Sequence, residues 1–200
     1  MPKTYSSTGS NLHPYQFDDA TLLAVGRLIR VCADLEDALT YFIGEVAQTS
    51  EGIANLMLGK MAVSQRQRIA ATLVDAKGTV ASKELMTKLF GSHFGDIFRC
   101  RNTAAHGVLL GITDDGQIAF ELTEPTDEPL IFATVVTYKP TDFHLAATAG
   151  AKMLAILDQR LKLPAWREKR LAQSLRPHHK AQSKGRANAK PPHPPRPSGA

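Results

Sequence analysis

The longest run of regularly spaced apolar residues in this chain predicts one long amphipathic helix. Apolar side chains recur every three or four residues from Leu22 to Val46, which is the spacing of one face of an α-helix. Asp18 and Asp19 stand directly before this run. Their carboxylates are suited to cap free amides and to face the positive end of the helix dipole. The segment favours a mainly α fold.

Four further helical stretches have the same periodicity. They are a short one after residue 51, then residues 64–78, 82–106 and 141–163. Ser64 is the expected N-cap of the second stretch, and Thr141 or Asp142 that of the last. Gly91 and Gly95 interrupt the third stretch. Glycine costs about 1 kcal/mol relative to alanine inside a helix, so we expect a bend or a break there.

Between residues 107 and 141 the pattern changes from helical to extended. The segments "VLLGI", "QIAFELT" and "LIFATVVTY" are short, and the turn-forming segments "TDDG" and "EPTDEP" separate them. Their β-branched and aromatic residues are typical of strands. The pattern predicts a β-hairpin with its tight turn at residues 114–116, and it leaves room for a third strand.

The two ends of the chain differ in composition from the middle. Residues 1–16 are polar and turn-rich, so we expect a flexible lead-in to a single domain that covers residues 17–166. Residues 167–200 are rich in Pro, Lys, Arg, Gly, Ser and Ala. Such a composition buries too little apolar surface to offset the entropy of ordering the chain. We therefore expect a disordered basic tail.

The basic charge of the chain belongs to that tail. The whole sequence has 24 basic and 19 acidic residues, a net charge of +5. Nine basic residues and one acidic residue lie in 167–200, which leaves 15 basic and 18 acidic residues in the first 166. The net charge therefore gives no support to a nucleic-acid-binding surface on the folded domain.

The cysteines and the hydropathy pattern favour a soluble cytoplasmic protein. Cys32 and Cys100 stand in unrelated contexts, without a CxxC motif or a histidine pair at metal-ligand spacing. Buried, reduced thiols and the absence of a metal or other cofactor are the expectation. The first 17 residues lack an apolar run of signal-peptide length, and no segment reaches the roughly 18 apolar residues of a membrane span.

The segment "FRCRNTAAHG", residues 98–107, places Arg101, Asn102 and His106 directly before Gly107. One explanation is structural. The imidazole would satisfy the last carbonyls of a helix, and the glycine would supply the left-handed residue that follows many helices. The alternative is that these side chains form half of an active site.

Arginine and histidine together suit RNA cleavage that needs no metal ion. Histidine titrates near neutral pH and can take a proton from a 2′-hydroxyl or return one to a leaving oxygen. A guanidinium can hold and neutralise the phosphate through paired donors. Arg101 and His106 are about 140° apart on an ideal helix, so they can border one cleft without sharing one narrow stripe. Asn102 would orient either group or contact the nucleotide.

The segment from Arg101 to His106 resembles the R-x4-H motif of the HEPN superfamily (higher eukaryotes and prokaryotes nucleotide-binding domains), with its usual polar residue after the arginine. The layout of helices over residues 18–165 is similar too. The resemblance implies an up-and-down helical bundle, here with a β-hairpin insertion between the motif helix and the last helix. That insertion departs from a bare four-helix bundle, and it leaves substrate access and subfamily open.

The resemblance also implies an activity. Many members are metal-independent endoribonucleases of toxin–antitoxin, phage-defence and RNA-processing systems, and they act as homodimers whose motif helices face each other. It therefore implies catalytic roles for Arg101, Asn102 and His106. The partners it implies are RNA, a second copy of the chain, and an antitoxin or regulatory protein, with no membrane.

Members of the superfamily often carry an acidic residue on the first helix that points toward the motif. The segment "ADLEDAL" offers Asp34, Glu36 and Asp37, and we favour Glu36 as a supporting residue. The alternative is a solvated acidic stretch. Arg66 and Arg68 could line an RNA path, but we expect them on a solvated helix face, where such charges are most common.

Two other functions stay open at this point. The first is a non-catalytic HEPN-like module that binds a nucleotide, an RNA or a partner protein. The second is a helical scaffold unrelated to that superfamily, in which the motif is merely a helix end. His93 could add to the cleft, but we expect a partly buried structural residue. We expect His144 to be a cap-region side chain near the start of the last helix and not a catalyst.

Overall fold

A computed structural model describes residues 3–5, 12–124, 132–163, 165 and 168 of the chain. The chain divides into two compact units, residues 1–162 and residues 163–200. All helices and strands named below belong to the first unit. Apart from residue 168, the predicted basic tail lies outside the described residues, so its predicted disorder stays a prediction.

The described part of the first unit is mainly helical, as predicted. Its helices are α1 (Asp19–Ala47), α2 (Glu51–Leu58), α3 (Val63–Lys77), α4 (Val80–Leu89), α5 (Ser92–His106) and α6 (Pro140–Leu161). Its strands are β1 (Lys3–Tyr5), β2 (Leu12–His13), β3 (Val108–Thr113), β4 (Ile118–Glu124) and β5 (Phe132–Tyr138). None of the described helices combines the length and apolar character needed to cross a bilayer.

Helix α1 forms the centre of the domain, and its predicted start is confirmed. Asp18 is the N-cap, and its Oδ1 accepts a hydrogen bond of 2.6 Å from the Thr21 amide. That bond is the main cause that lowers the pKa of Asp18. Leu28, Leu35 and Leu39 are fully buried on one face of α1. The apolar residues predicted from the periodicity therefore form the face of α1 against which the other helices pack.

A row of phenylalanine rings joins α1 to α5. The ring centroids of Phe42 and Phe90 are 5.4 Å apart, those of Phe90 and Phe94 are 5.2 Å apart, and those of Phe94 and Phe98 are 4.7 Å apart. All four side chains are buried. Each ring removes a large apolar area from water and also gains from the aromatic contacts. This row fixes the position of α5 relative to α1.

The helical stretch predicted over residues 82–106, with a bend or a break at its glycines, is two helices, α4 and α5. The chain breaks at Gly91, one of the two glycines that predicted a bend or a break. Phe90 turns into the core at the break, and its carbonyl accepts a hydrogen bond from the Gln67 amide. Helix α4 also starts before Ser82, because the Thr79 hydroxyl accepts the Ser82 amide as an N-cap. Tertiary contacts thus end one helix and begin the next.

Two other predicted helix starts are wrong by two or three residues. Helix α3 begins at Val63 instead of after Ser64, and α6 begins at Pro140 instead of after Thr141 or Asp142. In both helices the side chain at the third position accepts a hydrogen bond from the amide that precedes the helix. This hydrogen bond from the N-cap amide to the side chain three residues later fixes the start of each helix. The prediction had instead relied on a hydroxyl or carboxylate at the N-cap itself.

The predicted hairpin is part of a five-stranded antiparallel sheet. Strands β3, β4 and β5 form a meander whose first turn contains Gly116 in the left-handed region (φ 75°), as the predicted tight turn requires. The sheet order is β1-β5-β4-β3-β2. The prediction of an unstructured lead-in missed β1 and β2, which pair with β5 and β3. A segment of two or three residues is too short to show a strand pattern, and its pairing depends on the sheet edge that it meets.

Gly150 allows α6 to approach α1 closely. A Cβ atom there would lie 2.6 Å from Val31 Cγ1 and 3.5 Å from Leu35 Cδ1. Because a β-branched valine is stiff, Gly150→Ala is expected to lower the free energy of unfolding by about 1–3 kcal/mol. Gly26→Ala is the matched control, since its Cβ meets nothing within 4 Å on α1. It should instead stabilise by about 0.5–1 kcal/mol.

Denaturant unfolding of both variants measures the two changes. A Gly150→Ala protein as stable as Gly26→Ala would show that α6 does not approach α1 as closely as described.

Candidate functional site

Helix α5 presents the motif residues to a cleft of about 640 Å³. The cleft lies between α1, the start of α3, α5 and the second half of β4. Its lining includes Glu36, Gln67, Phe98, Arg101, Asn102 and His106. The structure therefore brings all four site residues expected from the sequence to one concave surface.

Arg101 is held at this cleft by three neighbours. Its Nη2 donates to Glu36 Oε1 at 2.5 Å, and its Nη1 donates to Asn102 Oδ1 at 2.8 Å. The guanidinium carbon also lies 5.7 Å from the ring centroid of Phe98. The side chains of Arg101 and Glu36 are each 22% exposed. This pair is therefore partly desolvated yet still reachable from solvent, which makes it a stronger contact than a fully exposed surface pair.

The Arg101 guanidinium is not fully satisfied by the protein. Its Nε is buried and has no hydrogen-bond partner within the part of the chain that the structure describes. Leaving a buried donor unpaired costs about 1–3 kcal/mol. Groups in this state are rare in folded proteins and occur at functional sites as strain reservoirs or where a ligand or water completes the bonding.

His106 ends α5 and is exposed at the edge of the same cleft. The structural explanation of His106 and Gly107 from the sequence is a helix end followed by a left-handed glycine. Gly107 is not left-handed, because its backbone is extended with φ −70° and ψ 143°. Space is the reason for the glycine instead. A Cβ at Gly107 would lie 2.6 Å from the Thr103 carbonyl oxygen and 3.2 Å from Phe120 Cβ on β4. Gly107 thus lets the helix end approach the sheet where the cleft closes.

Among the acidic candidates on α1, Glu36 contacts Arg101. Asp34 accepts a hydrogen bond of 3.2 Å from Arg30 on the exposed side of the helix. The preference for Glu36 over Asp34 therefore agrees with the geometry. Glu36 also faces a second cation, because its Oε2 lies 4.0 Å from Arg66 Nη1.

The prediction that Arg66 lies on a solvated face is wrong. Arg66 is 7% exposed. Its Nε donates to the Met61 carbonyl at 3.1 Å, its Nη2 to the Gly59 carbonyl at 3.2 Å, and its Nη1 to Thr40 Oγ1 at 3.2 Å. The guanidinium therefore joins the turn before α3 to α1. Arg68, by contrast, is exposed as expected.

A signal for Arg66 was present in the sequence. Arg66, Ala70 and Val74 are the buried residues of α3, and they are spaced four residues apart along one helical face. The spacing of apolar residues predicts that Ile69, Leu73 and Val74 face inward, but Ile69 and Leu73 are half-buried and Val74 is buried. An arginine in line with two core residues indicates a buried and paired charge.

The remaining histidines of the helical part lie elsewhere. His93 and His144 are both exposed, and neither lines the cleft. The prediction of a partly buried His93 is therefore wrong, because the start of α5 lies at the domain surface after the break at Gly91. His93 provides a matched surface control for His106 on the same helix.

Both cysteines are buried and unsuited to nucleophilic chemistry. Burial raises the pKa of Cys32 and of Cys100 to about 12. Their thiols are therefore neutral at physiological pH, whereas a thiolate is the reactive form.

We expect no modification of the native protein by a thiol reagent at pH 8 and modification of both cysteines after unfolding. Rapid labelling of the folded protein would contradict this assignment.

The cleft is lined by an imidazole and a guanidinium, those of His106 and Arg101. Within the described residues, no group of three or more His, Cys, Asp or Glu side chains is placed to hold a metal ion. Arg101 offers a planar cation to a phosphate, and His106 offers an imidazole to a proton.

Comparison of the chain with models of protein families, with curated proteins and with solved structures found no match.

Proposed function

We propose that this protein is a metal-independent endoribonuclease with a HEPN-like bundle, which cleaves RNA by transesterification in the cleft of α5. The observation that carries the proposal is that Arg101 and His106 line one cleft although they stand 140° apart on an ideal helix. The Glu36 contact supports it, because it keeps the arginine at that cleft.

In the proposed reaction the RNA supplies both the nucleophile and the leaving group. The 2′-oxygen attacks the adjacent phosphorus, and its proton passes to an imidazole of His106. The bond from phosphorus to the 5′-oxygen breaks, and a histidine returns a proton to that oxygen. The products are a 2′,3′-cyclic phosphate and a 5′-hydroxyl. Arg101 neutralises the charge that develops on the phosphate oxygens, and Asn102 orients the guanidinium through its 2.8 Å contact.

The proposal includes a homodimer in which the motif helices of two chains face each other, acting on cytoplasmic RNA in a toxin, phage-defence or RNA-processing role. Two copies of His106 near one substrate would divide the acid and base steps between them. Light scattering during gel filtration should then give twice the 21.7 kDa mass of the chain. A mass of one chain would instead require a single His106 to perform both steps.

A binding module without catalysis is the second candidate. One observation favours it: both terminal nitrogens of Arg101 already donate to protein oxygens, those of Glu36 and Asn102. A phosphate must compete with these contacts. A module of this kind would bind RNA or a nucleotide at the same cleft without cutting it.

The test is incubation of the full chain with a labelled structured RNA and with DNA of the same sequence, both in excess EDTA. Cleavage of the RNA but not of the DNA is expected, because only RNA has the attacking 2′-hydroxyl. Binding of RNA without cleavage, by a folded protein of the expected mass, would favour the binding module. Cleavage of the RNA in a parallel reaction without EDTA, but not in excess EDTA, would contradict the metal-independent reaction.

A further inference from the structure

Arg66 is a buried cation that the proposed reaction does not use. It lies on α3 beside Glu36, and the two oxygens of that carboxylate are near different arginines: Oε1 bonds Arg101 Nη2, and Oε2 lies 4.0 Å from Arg66 Nη1. One carboxylate therefore stands between two guanidiniums. We propose that Arg66 is a positioning residue that shares Glu36 and thereby keeps positive charge on Arg101 available to a phosphodiester. This inference rests on the proposed function.

The contacts of Arg66 hold it firmly in this place. Each of its three nitrogens donates to a neutral oxygen, on Met61, Gly59 and Thr40. The Thr40 hydroxyl in turn donates to the Glu36 carbonyl at 3.0 Å, one turn earlier on α1. The same bonds therefore fix Arg66 and the backbone that carries Glu36. A buried charge bonded in several directions has little freedom to move.

The charge balance gives this arrangement a function. Without Arg66, Arg101 and Glu36 would form a neutral pair, and an incoming phosphate would meet a carboxylate that only Arg101 neutralises. With Arg66, which does not itself line the cleft, the three groups carry a net charge of +1. Because a partly buried carboxylate is screened weakly by solvent, Arg66 is the group that offsets its repulsion of a phosphodiester, which carries one negative charge.

Charge-changing variants of the full chain test this role. Arg66→Met is expected to lower kcat/KM for RNA about 10-fold or more, mainly through KM, because coupled neighbours interact strongly. Arg68→Met removes the same charge from the exposed face of α3 and should change kcat/KM less than about 2-fold. Arg66→Lys keeps the charge and should retain most of the activity that Arg66→Met loses.

A second substitution separates positioning from a merely structural role. Adding Glu36→Gln to Arg66→Met removes the carboxylate that Arg66 offsets, so RNA binding should recover toward that of Glu36→Gln alone. If Arg66 only holds the turn at Gly59 and Met61, the double variant will bind no better than Arg66→Met. That result, together with a loss in Arg66→Lys equal to that in Arg66→Met, would overturn the inference.

A spectroscopic readout makes the test independent of RNA cleavage. The NMR signal of the Arg101 Nε–H group reports its surroundings directly. Arg66→Met should shift this signal and Arg68→Met should not. Thr40→Val removes one oxygen that Arg66 binds and should shift it too, so it serves where Arg66→Met does not fold. If the Arg101 signal is unchanged in folded Arg66→Met or Thr40→Val, the inference is overturned, even if the wild type cuts RNA. If the signal shifts but the wild type does not cut RNA, only the proposed function is rejected.

Discussion

Replacing His106 by alanine is expected to slow RNA cleavage by about 10²- to 10⁴-fold. The imidazole is the group of the cleft that we assign to proton transfer, and both proton movements of the reaction need one. His106 is exposed at the last position of α5, so its removal creates no cavity in the core. The variant should therefore unfold at nearly the same denaturant concentration as the wild type.

His93→Ala is the matched control for this prediction. His93 lies on the same helix, is exposed and does not line the cleft. Initial rates with one labelled RNA, measured for both variants in EDTA, should show a loss only in His106→Ala. Equal rates in wild type and His106→Ala would remove the catalytic assignment of this histidine, whereas unfolding of His106→Ala would favour the explanation that His106 is a structural helix end.

Arg101→Lys is expected to lower kcat/KM by about 10²- to 10³-fold, although it keeps the positive charge. A lysine has a compact ammonium group and cannot present two parallel donors to a phosphate as a guanidinium does. It can still pair with Glu36, whose carboxylate also faces Arg66. The fold should therefore persist, and the loss should reflect geometry at the reacting phosphate.

Arg68→Lys makes the same chemical change on the exposed face of α3 and should leave the kinetics unchanged. Single-turnover rates at saturating RNA separate binding from the chemical step. If Arg101→Lys cleaves as fast as the wild type, Arg101 supplies charge alone, and paired donors to the phosphate are not part of the mechanism.

The candidate site was largely accessible from the sequence because its main residues are local. Arg101, Asn102 and His106 lie within six positions of one helix, so one periodic segment fixes their approximate relation. Glu36 is 65 residues away from Arg101 in the chain, and it was a candidate because the resemblance of the motif implies an acidic residue on the first helix, where the segment "ADLEDAL" offers three. The distance between Glu36 and Arg101 depends on the packing of α1 against α5, which periodicity does not specify.

Other features depend on contacts that a single segment does not contain. Strands β1 and β2 exist because β5 and β3 offer edges to pair with. The two glycines predicted a bend or a break, but its position at Gly91 follows from Phe90 packing on Phe42. The burial of Arg66 follows from oxygens supplied by a turn and by α1. In each case a tertiary partner decides the local structure, and local propensity carries little of that information.

The most direct test of metal-independent transesterification is the chemical identity of the new RNA ends. The full chain would cleave a defined RNA in excess EDTA, and mass spectrometry would identify both termini, with a His106→Ala preparation to reveal any contaminating nuclease. A 2′,3′-cyclic phosphate and a 5′-hydroxyl, formed only by the wild type, are the predicted products. A 3′-hydroxyl with a 5′-phosphate, or the same products from both preparations, would contradict the proposed mechanism.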